Sequence, residues 1–349
     1  MTPNELANSP MTGLDRVADW MSGLGLGAGP LQDATRLRGG TQNVMVRFRR
    51  DGRDYVLRRG PEHLRPRSND VIRREFRLLE ALGRTTVPHA RLIAACSDES
   101  VLGGAVFYLM EPVDGFNVAV ELPEPHRTDP AVRKQMAYGF VDALALLGGV
   151  DHQAVGLGDF GRPDGFLERQ VGRWLAELAT YDEVAEYPGP AFGPVEDVAR
   201  WLERHRPRQW RPGILHGDYH LSNVMFSRTA PEVAAIVDWE MCTIGDPLLD
   251  LGWVLATRQL SDVPEFGGLL FAAGGLPSGD QLVERYARRS DRSLEELDWY
   301  VVLACFKLGI LLEGTWVRAL AGRAPYETGA RLHAWTGRLF EHAQSLIDP

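Results

Sequence analysis

The chain has 349 residues, of which 44% are hydrophobic and 24% charged, and these are ordinary proportions for a globular protein. Its net charge of -9 argues against nucleic acid as the main partner, because binding a phosphate backbone requires a basic surface. The cysteines Cys96, Cys242 and Cys305 form no CxxC pair, and no apolar run reaches the roughly 20 residues that span a membrane. We therefore expect a soluble cytoplasmic protein without a membrane partner, whose oligomeric state the composition leaves open.

The first 111 residues combine helical and strand-like segments. Apolar residues recur at helical spacing over 14–24, ahead of a glycine-rich stretch, so we assign 1–30 to an N-terminal extension with a short helix. In the following segment, 31–111, a helix over 68–82 lies between two pairs of strands, with Ser68 as its predicted N-cap. The predicted strands cover 44–48, 55–58, 92–95 and 106–110.

From residue 112 onward the pattern becomes helical, apart from a loop with short strands near residue 220. We therefore predict a larger helical part over 112–349. Together with the small mixed part that precedes it, this predicts an α+β protein. The predicted helices cover 133–147, 166–179, 250–259, 280–289, 294–320 and 328–347.

Two acidic side chains and one carboxamide stand at a spacing suited to phosphoryl transfer to a hydroxyl. Asn223 follows Asp218 by five residues, and Asp238 ends the apolar run 234–237. A carboxylate at 218 can accept a proton from an attacking alcohol, and the other two side chains can hold Mg²⁺ against nucleotide phosphates. The alternative is a turn-rich loop in which these side chains only cap backbone groups. Because a carboxylate at the end of an apolar strand does not suit that alternative, we predict Asp218 as the catalytic base and Asn223 and Asp238 as metal ligands.

A glycine-rich segment in the first part of the chain is a candidate for phosphate binding. Gly39, Gly40 and Thr41 precede the strand predicted over 44–48. Glycines allow backbone amides to approach phosphate oxygens closely. The same sequence is also a common turn, so the position of the segment, one strand before Arg58, is what favours phosphate binding.

Three motifs surround the predicted catalytic residues: His-Gly-Asp at 216–218, Asp-Trp-Glu at 238–240 and Gly-Asp-Pro-Leu-Leu-Asp-Leu at 245–251. In this order and spacing they resemble the aminoglycoside phosphotransferase and choline kinase-like superfamily. The resemblance extends over roughly residues 30–345. The core motif is highly specific, whereas the identity of the substrate is only weakly implied.

Two further segments resemble one branch of that superfamily, namely Val-Leu-Arg-Arg at 56–59 and Lys-Leu-Gly-Ile-Leu-Leu-Glu-Gly at 307–314. That branch occurs alone in bacteria and fused to acyl-CoA dehydrogenases in some animals. The resemblance implies a two-lobed protein kinase-like α+β fold, with a small N-lobe over 31–111 and a helical C-lobe over 112–349 that holds the catalytic loop and the acceptor site.

The resemblance also implies nucleotide-binding residues in the N-lobe. Arg58 stands where the superfamily places a lysine that contacts the phosphates, and a guanidinium can make such contacts in a bidentate manner. Glu75 would be its ion-pair partner, with an ordinary surface pair as the alternative. Glu111 and Val113 resemble the hinge whose backbone holds the adenine ring. The arginine in place of lysine is the main departure from the superfamily pattern.

These observations predict a Mg²⁺-dependent kinase that transfers the γ-phosphoryl group of ATP, or of GTP, to a hydroxyl of a small-molecule acceptor. The acyl-CoA dehydrogenase-linked branch suggests a hydroxy acid or a hydroxyacyl-CoA, and the wider superfamily suggests an aminoglycoside as the alternative. A nucleotide-binding pseudokinase or scaffold is favoured only by the absent lysine. A protein kinase is disfavoured, because Asp238 and Gly245 are too close in sequence for an activation segment.

Overall fold

Two compact units make up the chain. The first comprises the residues up to Gly115 together with the later segments Val155–Leu157 and Ala234–Glu240. The second comprises Phe116–Ala154, Gly158–Val233 and Met241–Pro349. The computed structural model describes residues 13–37, 43–190, 192–263 and 266–348.

The first unit is built on a five-stranded antiparallel sheet with strand order β1-β2-β3-β5-β4. Its first strand was not predicted, because β1 carries mostly exposed polar residues and shows no apolar alternation. The other four strands lie where the sequence predicted them. The elements are α1 (Leu14–Gly23), β1 (Gln32–Arg36), β2 (Val44–Arg50), β3 (Arg53–Arg59), α2 (Ser68–Leu82), β4 (Leu92–Cys96) and β5 (Phe107–Met110).

The apolar face of this sheet packs against the N-terminal helix. Buried positions alternate with more exposed ones along β2, as expected for a strand with one covered face. Val17 and Met21 of α1 join Phe48 and Leu57 of the sheet in one hydrophobic core. Each such buried side chain contributes about 1.5–3 kcal/mol to folding. The short N-terminal helix is therefore part of the core of the first unit.

The predicted N-cap of α2 is wrong. Ser68 is the first helical residue, and Arg67 precedes it with a φ of 70° and no side-chain cap. The Ser68 hydroxyl instead accepts a hydrogen bond from the backbone N–H of Arg65 at 2.9 Å. Tertiary packing stabilises this helix, because Ile72 is fully buried and Leu79 almost so.

Two short segments from later in the chain belong to the first unit, although the predicted boundary between the lobes excluded them. The backbone N–H of Ile236 donates to the carbonyl of Pro88 at 2.9 Å. The Arg77 side chain donates to the carbonyl of Gly156 at 3.0 Å. Composition along the chain cannot predict contacts between residues so far apart in sequence. As a consequence, Asp238 lies in the first unit.

The second unit is mainly helical, and its strands β6 and β9 form a short antiparallel pair that frames a loop. Helix α3 is the first helix of this unit and the third of the chain, and it begins at Pro130, three residues before the predicted start at 133. The Asp129 side chain accepts a hydrogen bond from the N–H of Ala131, and Pro130 occupies the first helical position. The elements of the second unit are α3 (Pro130–Gly148), α4 (Gln170–Ala179), α5 (Val195–Arg204), β6 (Gly213–Leu215), β7 (Val224–Phe226), β9 (Thr243–Gly245), α6 (Leu248–Thr257), α7 (Gly268–Ala273), α8 (Gly279–Ala287), α9 (Leu297–Leu320) and α10 (Tyr326–Ile347). Strand β8 (Val233–Ile236) lies, except for its first residue, in the first unit.

Helix α9 is the central element of this unit and packs against α6 and α10. Its approach to α6 is close, because a Cβ at Gly252 would lie 2.5 Å from the carbonyl oxygen of Tyr300. In the part of the chain that the structure describes, α9 is also the one helix long and apolar enough to cross a membrane, and 83% of its most apolar window is buried inside the fold. Such burial is what a core helix shows.

Candidate active site

Asp218 and Asn223 lie on one loop, which follows strand β6. This loop ends in the short 3₁₀ helix Leu221–Asn223. The Asn223 side-chain amide donates to the backbone carbonyl of Asp218 at 2.9 Å and to its carboxylate at 3.0 Å. No described residue donates a hydrogen bond to Oδ1 of Asn223. The loop therefore brings the two predicted residues together and leaves one amide oxygen for a ligand.

Gly217 determines the shape of this loop. Its φ is +86°, and a Cβ at this position would lie 2.6 Å from the carbonyl oxygen of Met241. The backbone N–H groups of His216 and Gly217 donate to the two carboxylate oxygens of Asp250 at 2.6 and 2.9 Å. Because Asp250 is fully buried in α6, these bonds satisfy amides that the turn would otherwise leave unpaired.

The charges around Asp218 keep its carboxylate ionised. Nε2 of His220 lies 3.5 Å from the Asp218 carboxylate, and Nδ1 of the fully buried His216 accepts a hydrogen bond from the Asp218 N–H at 3.3 Å. Burial alone would raise the pKa of Asp218. The neighbouring His220 ring and its hydrogen bond outweigh burial, with His216 and Lys307 adding to them, so the pKa of Asp218 lies well below the usual carboxyl range. At neutral pH the group can accept a proton or orient a hydroxyl.

Three predicted residues, Arg58, Glu75 and Asp238, meet in the first unit. Nε and Nη2 of Arg58 donate to the two oxygens of Glu75 at 2.7 and 3.1 Å, and Nη2 also donates to Asp238 at 2.9 Å. The Tyr108 hydroxyl donates to Glu75 at 3.0 Å. The side chains of Arg58 and Glu75 are only 8% and 1% exposed, so the pair is not an ordinary surface pair. Burial lowers the pKa of Arg58, but Glu75, with Tyr108 and Asp238, more than offsets it.

Asp238 in the first unit and Asn223 in the second each present a side-chain oxygen of the kind that magnesium binds. The Asp238 side chain is 41% exposed, and its residue has a φ of 65°, which is uncommon outside glycine. Mg²⁺ in kinases is held by one or two protein oxygens together with substrate phosphates. The described residues contain no cluster of three or more His, Cys, Asp and Glu side chains that could enclose a metal. Taken singly, the exposed carboxylate of Asp238 and the free amide oxygen of Asn223 are each a ligand type that suits a cation shared with a nucleotide.

The predicted phosphate-binding segment, Gly39, Gly40 and Thr41, lies outside the described residues, so its function stays a prediction. The strands on either side of it, β1 and β2, are antiparallel neighbours in the sheet.

The predicted hinge residues follow strand β5. The backbone N–H of Glu111 donates to the carbonyl of Arg91 at 2.9 Å, and its carboxylate pairs with Arg53 at 2.9 Å. Val113 makes no hydrogen bond with any described residue. Its backbone N–H is thus available to a ligand, whereas that of Glu111 is not.

Two residues of these clusters were missed by the sequence analysis. Tyr108 belongs to an apolar strand, and it reaches Glu75 only because β5 pairs with β3, with Tyr108 opposite Arg58. Lys307 lies in α9 and donates to the carbonyl of Gly217 at 2.6 Å. A lysine with apolar residues on both sides in a long helix was the available signal, since a buried ammonium needs a partner.

Comparison with known families agrees with this geometry. The model of the phosphotransferase enzyme family (APH) matches residues 33–300, which is more than half of the chain. The chain therefore belongs to this family, as its motifs indicated. Membership makes it a small-molecule phosphotransferase by class.

A curated relative and two solved structures define the likeness further. Acyl-CoA dehydrogenase family member 11 of Gallus gallus is 32% identical over 305 residues, which are 83% of this chain and 37% of the relative. A Ralstonia eutropha JMP134 protein assigned to the aminoglycoside phosphotransferases has a TM-score of 0.76 and 29% identity, and the match covers 95% of this chain and 98% of that one. Aminoglycoside phosphotransferase APH(4)-Ia, solved with AMP-PNP and hygromycin B, has a TM-score of 0.59 and 14% identity, with coverage of 95% and 99%.

These comparisons confirm the predicted fold class, a two-lobed kinase-like α+β fold with a small sheet-containing part and a larger helical part. They also limit what can be transferred. The chain spans between 28% and 38% of the length of the acyl-CoA dehydrogenase relatives that it matches. The activity of those whole proteins therefore cannot be transferred to this chain.

Proposed function

We propose that the chain transfers the γ-phosphoryl group of ATP, or of GTP, to a hydroxyl of a small molecule in a Mg²⁺-dependent reaction. The observation that carries this proposal is the Asp218–Asn223 pair, in which an ionised carboxylate is fixed by a neighbouring amide that keeps one oxygen free. Family membership and the complex of APH(4)-Ia with AMP-PNP support a nucleotide as the donor.

In the proposed reaction Asp218 accepts a hydrogen bond from the acceptor hydroxyl and takes its proton. The hydroxyl oxygen forms a bond to the γ-phosphorus, and the bond from this phosphorus to the β–γ bridging oxygen breaks, so that the nucleoside diphosphate leaves. The low pKa makes Asp218 a weak base. This is adequate because the transition state of phosphoryl transfer is loose, and orientation of the nucleophile outweighs proton abstraction.

Arg58 is proposed to orient the nucleotide phosphates. Its guanidinium is held by Glu75 in two-point contact, so little side-chain entropy remains to be lost when a phosphate binds. Asn223 and Asp238 are the proposed magnesium ligands. The bound ion would neutralise charge that develops on the phosphate oxygens. Gly39, Gly40 and Thr41, and the backbone at Glu111 and Val113, are proposed to contact the phosphates and the adenine ring.

A hydroxy acid or hydroxyacyl-CoA is the proposed acceptor. The similarity to part of acyl-CoA dehydrogenase family members supports it, since a kinase domain joined to such an enzyme would act on related acyl compounds. The second candidate is an aminoglycoside, which the family assignment of the Ralstonia eutropha protein favours. The two acceptors differ in charge, so a mixed panel separates them.

The test is an acceptor panel with Mg²⁺-ATP, in which phosphorylated products are detected by mass spectrometry. The panel contains hydroxy acids, hydroxyacyl-CoAs, aminoglycosides and amino alcohols. We expect one class to give a product that disappears in Asp218→Asn and Asp238→Ala but persists in Asp262→Asn, an exposed carboxylate paired with Arg338. Nucleotide binding without product or hydrolysis would instead indicate a scaffold.

A further inference from the structure

Lys307 is a buried ammonium beneath the catalytic loop. The residue is 5% exposed and lies in the middle of helix α9. Its Nζ donates to the carbonyl of Gly217 at 2.6 Å, a short charge-assisted hydrogen bond. It is one of only two lysines in the chain, and the other, Lys134, is exposed on α3. The mechanism above assigns it no function.

The surroundings of Lys307 are aromatic and anionic. Nζ lies 4.2 Å from the centre of the Trp253 ring and 5.6 Å from that of Trp174, distances at which a cation is attracted to an aromatic face. Burial lowers the pKa of Lys307, and the carboxylates of Asp218 and Asp250 oppose this by favouring the ammonium form. The pocket therefore compensates a charge that would otherwise be costly to bury.

Lys307 and Asp250 hold the backbone of Gly217 from opposite ends. The N–H of Gly217 donates to Asp250 at 2.9 Å, and its carbonyl accepts from Lys307 at 2.6 Å. That carbonyl and the N–H of Asp218 belong to the same planar peptide group. The orientation of the carbonyl therefore fixes the orientation of the backbone from which the Asp218 side chain projects. Gly217 has a φ of +86° and no side chain to restrict the turn.

We propose that Lys307 is a positioning residue for Asp218: by holding the Gly217 carbonyl it fixes the peptide plane from which the catalytic carboxylate projects. This proposal rests on the proposed function, in which Asp218 orients the acceptor hydroxyl. Lys307 itself contacts neither substrate nor nucleotide in this scheme. Its effect should appear in turnover and not in nucleotide affinity.

The kinetic test compares Lys307→Met and Lys307→Arg with Lys134→Met as the matched control. We expect Lys307→Met to lower kcat about 10- to 100-fold, since a displacement of the order of 1 Å can cost this much. KM for ATP should change less than about twofold, because phosphate contacts lie elsewhere. Lys307→Arg should restore part of the lost kcat, since it keeps a cationic donor. Lys134→Met should match the wild type.

A spectroscopic test keeps the proposal open to refutation where a variant is unstable or inactive. Labelling with carbonyl-¹³C glycine and ¹⁵N aspartate selects the Gly–Asp peptide bonds, and the sequence contains only four, which begin at Gly158, Gly217, Gly245 and Gly279. We expect the signal of the Gly217 pair to shift in Lys307→Met more than the Gly158 and Gly279 signals do. All four should stay in place in Lys134→Met.

Each result decides the proposal. Wild-type kcat in folded Lys307→Met, or an unmoved Gly217 signal, would overturn it and leave Lys307 a packing residue. A loss of folding stability with unchanged kcat per folded molecule would do the same. If the wild-type protein transfers no phosphoryl group to any acceptor or to water, the proposed function fails, while the Gly217 signal still decides whether Lys307 positions the loop.

Discussion

Arg58 and Glu75 form a buried two-point ion pair, with Nε and Nη2 of the guanidinium on the two oxygens of one carboxylate. This geometry explains how an arginine can stand where relatives are expected to carry a lysine. The planar fork fixes the guanidinium on Glu75, and Nη2 still donates to Asp238. One side chain therefore connects the α2 carboxylate with the proposed metal ligand inside the first unit.

Replacing only one partner of this ion pair should destabilise the first unit strongly. Arg58→Met leaves the Glu75 carboxylate buried without a countercharge, which typically costs about 3–5 kcal/mol. In Arg58→Met/Glu75→Gln no charge is left unpaired at these two positions, so the double variant should be more stable than Arg58→Met alone. Urea unfolding of the wild type, both single variants and the double variant measures this coupling.

Arg73 provides the matched control for that cycle. It lies on the same helix as Glu75, but its pair with Glu99 is exposed. Arg73→Met should change the free energy of unfolding by less than about 1 kcal/mol. Equal effects of Arg58→Met and Arg73→Met would contradict a buried pair.

The Tyr108 hydroxyl should contribute to the same cluster. It donates to Glu75 at 3.0 Å from a residue that is 2% exposed. Tyr108→Phe removes the donor and keeps the ring, so we expect a loss of about 1.5–3 kcal/mol, the usual value for a hydrogen bond to a charged group. Tyr55→Phe is the control, because the Tyr55 hydroxyl makes no hydrogen bond with any described residue. Thermal and urea unfolding of the two variants should differ accordingly.

The sequence was sufficient for much of the fold, because apolar periodicity marks elements that bury one face. Strand β2 and helix α2 were predicted in this way, and their buried positions follow the expected periods. Strand β1 was missed because its residues are polar and exposed at the sheet edge. Its existence depends on pairing with β2, and that pairing is not encoded in the local pattern of β1.

The candidate site was predictable in part. Asp218 and Asn223 are five residues apart, so their contact is local and the motif reveals it. Arg58 and Asp238 are separated by 180 residues, and only the fold brings them together. The resemblance supplied Arg58, whereas nothing in the local sequence predicted that its guanidinium would donate to Asp238.

Neutralising Asp218 should separate chemistry from nucleotide binding. Asp218→Asn keeps the size of the side chain but removes the carboxylate that orients the acceptor hydroxyl and takes its proton, and loss of such a group typically costs about 10²–10⁴ in rate. The nucleotide affinity should stay within about twofold, since Asp218 is assigned to the acceptor. Steady-state kinetics and calorimetric titration with an ATP analogue measure the two quantities. A variant that keeps full kcat would remove Asp218 from the mechanism.

The buried thiol of Cys305 should make stability depend on pH above neutrality. Burial raises the pKa of Cys305 well above its usual range, so the native state keeps the proton while the unfolded state releases it above about pH 8.5. The contribution of this thiol to the free energy of unfolding is therefore fully present below that pH. It declines by about 1.4 kcal/mol per pH unit as the pH rises further. Cys305→Ala removes this contribution. Urea unfolding at pH 7 and pH 9.5 should show a smaller loss in the variant than in the wild type, and equal losses would mean that the native thiol ionises as readily as an exposed one.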